Sequence, residues 1–352
     1  MTTMPLTAQR SLELLGLSLI VFIIAQANMV VMPLLMAFFF ALMLMPFFRF
    51  FRKLGVSEVI AIFLPILTLT IAIIAVIWLF YDRVAVLLSD LSQIEQNVAL
   101  HLDNLSMWIS HSFGFKPKDQ LRFINEQSSK FFNGMQGLIK GTIGSLTDAV
   151  IFFGLLPIYT YLVMFYRNIF LKVILLSFAN DEQPDVRDSV QQIEKMVKNY
   201  LFGLAVQIAY ITVLLGGSLA LFGIKNALLI GLLFAFLNLI PYLGALIGNI
   251  LGVVITLAAS ENLIDIVIVL GTITGVQFLD NNILMPRIVG GQVKINALVS
   301  IVGIIAGGAI AGISGMFLAM PLLAILKVVC DHTRKYSGWG LLLGAERPKQ
   351  VI

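Results

Sequence analysis

Cysteine, histidine and charge are what this sequence has least of, and each shortage excludes something. Cys330 is the single cysteine, which rules out an internal disulfide and any thiolate-based zinc or iron–sulfur site. As a small apolar residue near a helix end it reads as packing. Histidines stand only at 101, 111 and 332, without metal-ligand spacing, and no metal site is expected. No Walker A sequence is present, so ATP-driven pumping has no support, and the sequence calls for no cofactor. Charged residues make up 12% of the chain, against about 25% in soluble domains.

Hydrophobic residues fill the place of the missing charge: 59% of the chain, with a mean hydropathy of +0.97. That composition predicts an all-α polytopic membrane protein, because a helix satisfies its own backbone in hydrocarbon. The net charge of +4 is no sign of nucleic-acid binding, since the basic residues fall in the loops between apolar segments.

Taken in order, residues 1–81 hold three apolar segments: Ser11 to Ala27, Met29 to Phe48 and Val59 to Tyr81. Ala25-Gln26-Ala27 imitates a signal-peptidase site, but the next apolar segment begins at once, and the first pair reads as a hairpin. Residues 82–147 differ in kind. Leu87, Leu91, Ile94, Val98, Leu102, Leu105 and Ile109, then Leu121, Ile124, Ser128, Phe131, Met135 and Leu138, step by three and four. Two helices with apolar stripes are expected, forming a hairpin outside the membrane or a stalk through which subunits form a homo-oligomer.

A fourth span follows over 148–166, then a polar stretch, 167–198, opened by Asp181 and Pro184. Its stripe of Val186, Val190, Ile193 and Val197 predicts an amphipathic helix on the membrane surface or against a neighbouring subunit. The remaining core, 199–327, contains two uncharged stretches too long for one straight crossing. Asn226 to Ser260 is 35 residues and Ile295 to Leu326 is 32, about 52 and 48 Å as helices against a hydrocarbon core of about 30 Å. Each is expected to break or double back, as hairpins over 226–260 and 295–327, which gives about eight transmembrane segments with the tail at 328–352. Pro241 and Gly244 mark the first break, and Gly307, Gly308, Gly312 and Gly315 the second. Pro286 ends the helix between them.

Placing the N-terminus, the 49–58 loop, the 167–198 segment, the 286–294 loop and the tail on one side collects 16 of the 23 Lys and Arg residues. By the positive-inside rule that side is the cytoplasm, with both chain ends there. One broken stretch then opens outward and the other inward, the arrangement an alternating-access site would have.

The polar chemistry at membrane depth gathers near Asp280. An ionisable group in hydrocarbon costs about 2.5–3.5 kcal/mol or more, so it persists where it faces protein, water or a transported solute. Asp280 is the candidate coupling site or cation ligand, with Gln277, Asn281, Asn282 and Arg287 beside it. The plain alternative is that Asp280 pairs with Arg287 and only secures a helix end, which requires a break near Pro286. Asn238, Tyr242 and Asn249 are candidates for the same cavity, although amides in apolar helices commonly bridge helices. The four-residue repeat of Gly244, Gly248 and Gly252, like that of Gly303, Gly307, Ala311 and Gly315, suits close helix packing or a hinge. Gly312-Ile313-Ser314-Gly315 has the pattern of an intramembrane serine protease, but no histidine base lies at membrane depth. No catalytic residue is therefore expected.

DNNILMPRIVGG, followed by NALVSIVGIIAGGAIAGISGMFLAMPLLAILK and preceded by PYLGALIGNI, resembles the autoinducer-2 exporter family of bacterial inner-membrane proteins. The resemblance implies export of a small hydrophilic metabolite such as autoinducer-2 from the inner membrane. Exchange of a monovalent cation for protons, described for some relatives, is a second expectation and makes Asp280 the exchanging carboxylate. A scaffold or regulator acting through the stalk and the cytoplasmic helix is a third. The expected partners are the lipid bilayer, the small molecule or cation carried, and further copies of the chain.

Overall fold

The computed structural model describes residues 6–89, 146–241, 243–260, 262–288, 295–333 and 336–345, with single positions at Gln96, Leu100 and Met107. Most of the expected 82–147 stalk, with its apolar stripes, lies outside the described residues, as do His101, His111 and Tyr242.

The described residues are overwhelmingly helical, and their extended pairing is an isolated antiparallel bridge between Ile295 and Gly344. The helices are α1 (Leu6–Gln26), α2 (Asn28–Lys53), α3 (Glu58–Ser89), α4 (Leu146–Leu176) and α5 (Gln183–Ile211). A π turn, π1 (Thr212–Gly216), leads into α6 (Gly217–Leu221), followed by α7 (Ala227–Leu237), α8 (Leu243–Ala259) and α9 (Leu263–Leu279). A second π turn, π2 (Asp280–Leu284), continues α9 into α10 (Met285–Ile288), and α11 (Ala297–His332) and α12 (Ser337–Leu343) complete the series. Among the described residues six helices are long and apolar enough to cross a membrane. The protein is an all-α polytopic membrane protein.

Two boundaries differ from the sequence expectation. Only Ala27 separates α1 from α2, with backbone bonds Ala27 N–Ile23 O of 2.8 Å and Val31 N–Ala27 O of 2.9 Å. The chain bends there and has no hairpin loop. The polar 183–198 segment is likewise not a separate surface helix. It runs unbroken into the following apolar span, and Gln183–Leu221 forms 39 residues of continuous helix. That is about 58 Å, so part of it must extend beyond the hydrocarbon.

The chain forms two compact units. The first combines α1, α2, the start of α3, α4, the N-terminal part of α5, α11 and α12. Its core joins Leu44, Met45 and Phe48 of α2 to Ala61, Ile62 and Ile66 of α3 and Met164 of α4. Arg167 caps this cluster: its guanidinium lies 4.5 Å from the Phe48 ring centre and donates to Glu58 at 2.9 Å. Of the α5 stripe, Val190 and Ile193 are half-buried and line a cavity beside α2 and α4, and Val197 is fully buried.

In the same unit α11 is two antiparallel arms. Ala311 (φ −143°, ψ 24°) and Gly312 (φ 59°, ψ −141°) leave the helical region, and the second conformation is open to glycine almost alone. The arms pair Gly303 with Leu323, Gly307 with Gly315, and Gly308 with Met316. A Cβ at Gly315 would collide with the Gly307 carbonyl, so the seam exists because both residues lack one. At the open end of the hairpin, Asn296 caps α11 through Val299 N at 2.9 Å and ties it to α12 through Leu342 O at 2.6 Å.

The second unit holds the rest of α3 and α5, π1, and α6 through α10. Here α7 and α8 form the other antiparallel pair, with Pro241 in the connection. Gly244 lies on the Leu237 carbonyl and Gly248 on the Phe234 ring. Around them Leu215, Leu219, Ile230, Phe234, Val269 and Ile273 make a fully buried core.

Candidate functional site

Within the second unit, three polar side chains converge on one carboxylate. Asp280 opens π2 and is 1% exposed. Its Oδ2 accepts from Gln207 Nε2 at 3.0 Å and from Asn238 Nδ2 at 2.9 Å, and its Oδ1 accepts from the Tyr210 hydroxyl. Gln207 and Tyr210 are three residues apart on α5, the spacing that puts both on one helical face. Asn238 closes α7 at its C-terminal end. Three chain segments therefore supply the cluster, with Gln207 2% and Asn238 9% exposed.

A buried carboxylate is costly unless it is hydrogen-bonded, and these three donors answer that cost without a cation. A carboxylate offers about four lone-pair sites, so acceptor capacity remains. Gln207 Nε2 also lies 3.5 Å from Met285 Sδ, whereas Gln207 Oε1 is buried with no hydrogen-bond partner among the described residues. Carboxylate and amide oxygens together are a donor set suited to a proton, a small cation or a hydroxyl group. Both π turns belong to this unit; such turns are frequent where a helix is shaped for function. In π2 the wider turn begins at Asp280 itself.

The other expected residues are placed elsewhere. Asn281 accepts from Gln277 Nε2 at 3.1 Å and is exposed, and Asn282 Nδ2 donates to Phe278 O at 2.8 Å. Each residue advances about 100° around a helix, so the two neighbours of Asp280 cannot share its direction. Arg287 is exposed and makes no ion pair with Asp280. Asn249 Nδ2 bonds back to Ala245 O at 2.7 Å, within its own helix. Of the expected amides only Asn238 reaches the carboxylate. Gln207 and Tyr210 are the functional candidates that sequence reasoning passed over. The signal was present, because Gln207 is a carboxamide well inside the apolar run from Tyr200 to Ile224. The described residues include no group of three or more metal-ligating side chains.

The model of AI-2E family transporters matches residues 14–335 of the chain. YrrI of Bacillus subtilis, which bears the name of a transport protein, is 27% identical over 315 residues, covering 85% of each chain. YhhT of Escherichia coli K12, also named for transport, is 24% identical over 342 residues, 97% of this chain and 95% of its own. The AI-2 transport protein TqsA of Escherichia coli K12 is 24% identical over 329 residues, 89% of each chain.

Proposed function

The chain belongs to the AI-2E transporter family, and on that premise we propose that this membrane transporter exports a small hydrophilic metabolite of the autoinducer-2 class past the Asp280 cluster. The observation that carries the reading is a carboxylate 1% exposed and held by neutral donors from α5 and α7. Alcohol and amide groups surrounding an acidic oxygen match the hydroxyls of a polyol, which both donate and accept. The printed name of TqsA supports the substrate class. The two glycine-seamed hairpins supply broken helices of the kind that line transport paths.

A second reading rests on Gln207 Oε1. A buried acceptor without a hydrogen-bond partner among the described residues, next to a carboxylate, favours exchange of a monovalent cation for protons at the same place. On either reading Asp280, Gln207, Tyr210 and Asn238 form the transport site, in a bacterial inner membrane with both chain ends in the cytoplasm. Chemistry on the substrate has no role in either.

Proteoliposome flux with wild type and Asp280→Asn tests both, following autoinducer-2 and sodium- or potassium-driven proton movement in parallel. Metabolite flux in wild type supports the exporter, and its loss in the variant places the carried molecule at Asp280. Cation-driven proton flux that disappears in the variant selects the antiporter. No flux of either kind overturns both.

A further inference from the structure

A separate cavity of about 510 Å³ lies in the first unit, between the C-terminal parts of α2 and α4 and the start of α5. That volume is in the range of sites that hold small ligands. Phe38, Leu42, Val163, Leu171, Val190 and Ile193 give it apolar walls. Arg49 and Arg167 line it as well, with Asn168 and Glu194. Arg167 is held in place by Glu58, the Met164 carbonyl at 2.7 Å and the Phe48 ring. Arg49 is paired to Glu194 through one terminal nitrogen at 2.7 Å, and its side chain is 62% exposed, so the guanidinium keeps donors to spare. One helical turn beyond Arg49 come Arg52 and Lys53, both exposed at the end of α2. Around the C-terminal end of α2, four positive charges thus stand against Glu58 and Glu194, a surplus of two.

The cavity therefore combines apolar walls with two guanidinium groups. Arg49 stands one turn before the end of α2, where an apolar helix of membrane length finishes in basic residues, the level of lipid headgroups. Phe47 and Phe50 beside Arg49 on α2 are 51% and 58% exposed, and Phe170, which lines the cavity from α4, is 52% exposed. A carried hydrophilic metabolite has no use for such walls. We propose that this cavity binds an anionic glycerophospholipid, with an acyl chain between α2, α4 and α5 and its phosphate on Arg49 and Arg167. Basic pockets between membrane helices commonly take such headgroups. The charge surplus selects an anionic lipid over a zwitterionic one. The cavity belongs to the first unit alone and is independent of the Asp280 cluster.

The test is native mass spectrometry of the full-length protein in detergent, titrated with phosphatidylglycerol, phosphatidylcholine or palmitate. Wild type is expected to bind one phosphatidylglycerol in preference to phosphatidylcholine. Arg49→Gln should lower phosphatidylglycerol binding about fivefold, as removal of one basic residue at a headgroup does, and leave phosphatidylcholine unchanged. Val190→Trp, which fills the cavity from a half-exposed wall, should abolish that bound lipid. If Val190→Trp fails to fold, Arg49→Gln decides alone. Equal binding of the two phospholipids, equal binding by wild type and Arg49→Gln, or a preference for palmitate overturns the proposal.

Discussion

Asn238 and Asp280, 42 residues apart in the chain, share a buried hydrogen bond of 2.9 Å, and it ties the C-terminal end of α7 to the first residue of π2. Gln207 joins the same carboxylate oxygen from α5, so one Oδ2 atom connects three segments of the unit. The site and the packing of these segments consequently respond together when Asp280 is changed.

Asp280→Asn keeps the volume and one acceptor but brings an N–H₂ group toward Tyr210 or toward Gln207 and Asn238. Flux in proteoliposomes is expected to fall at least tenfold, with the protein still folded in detergent. Asp280→Ala strands all three donors, each costing about 1–3 kcal/mol when buried and unpaired. Its melting temperature should lie below that of Asp280→Asn by differential scanning fluorimetry, and a reversed order would remove the hydrogen-bonding account.

Tyr210→Phe removes the hydroxyl that bonds Oδ1 and leaves the ring. A loss of about 1–3 kcal/mol in stability is expected. In a double-mutant cycle with Asp280→Asn the two changes should be non-additive by about 0.5–3 kcal/mol, as for contacting residues. Additivity would place Tyr210 outside the cluster.

The glycines of α11 separate steric need from backbone need. Gly315→Ala should force the arms apart and lower stability sharply, because its methyl meets the Gly307 carbonyl. Gly312 has open space around it but a φ of +59°, and Gly312→Ala should cost about 1–3 kcal/mol from the backbone alone. Gly154, exposed in the middle of α4 with nothing within 4 Å, is the control. Gly154→Ala should be neutral or stabilising by up to about 1 kcal/mol. Comparison of the three melting temperatures checks the order.

Arg167 and Arg49 both make ion pairs, yet they should differ in weight. The Arg49–Glu194 pair is solvent-facing, and Glu194→Gln should change stability by no more than about 1 kcal/mol, less at high salt. Arg167 also covers Phe48 and bonds Met164 O, so Arg167→Gln should cost more and show weaker salt dependence. Melting in low and high salt distinguishes the two.

Much of the architecture is legible in composition and segment length. A 35-residue and a 32-residue uncharged stretch cannot cross about 30 Å once as straight helices, and both fold back, near Pro241 and at Ala311–Gly312. The four-residue glycine repeats likewise lie at the seams of the two hairpins. Asp280 is singled out by charge alone, since an aspartate in an apolar helix is expensive wherever it points. The joining of 183–198 to the next span was less visible, because a helix carries no mark where its surroundings change from water to hydrocarbon.

Of the partners of Asp280 only Asn238 was legible, as an amide expected at the same cavity. Asn281, Asn282 and Arg287 are its sequence neighbours, but helical rotation turns them to other faces, while Gln207, Tyr210 and Asn238 arrive from 73, 70 and 42 residues away. Sequence by itself determined that this chain is helical, membrane-embedded and twice folded back, since these follow from hydropathy and from lengths measured against a bilayer. Tertiary structure alone decided which donors satisfy the buried carboxylate, because that depends on how helices distant in sequence are packed and rotated against one another.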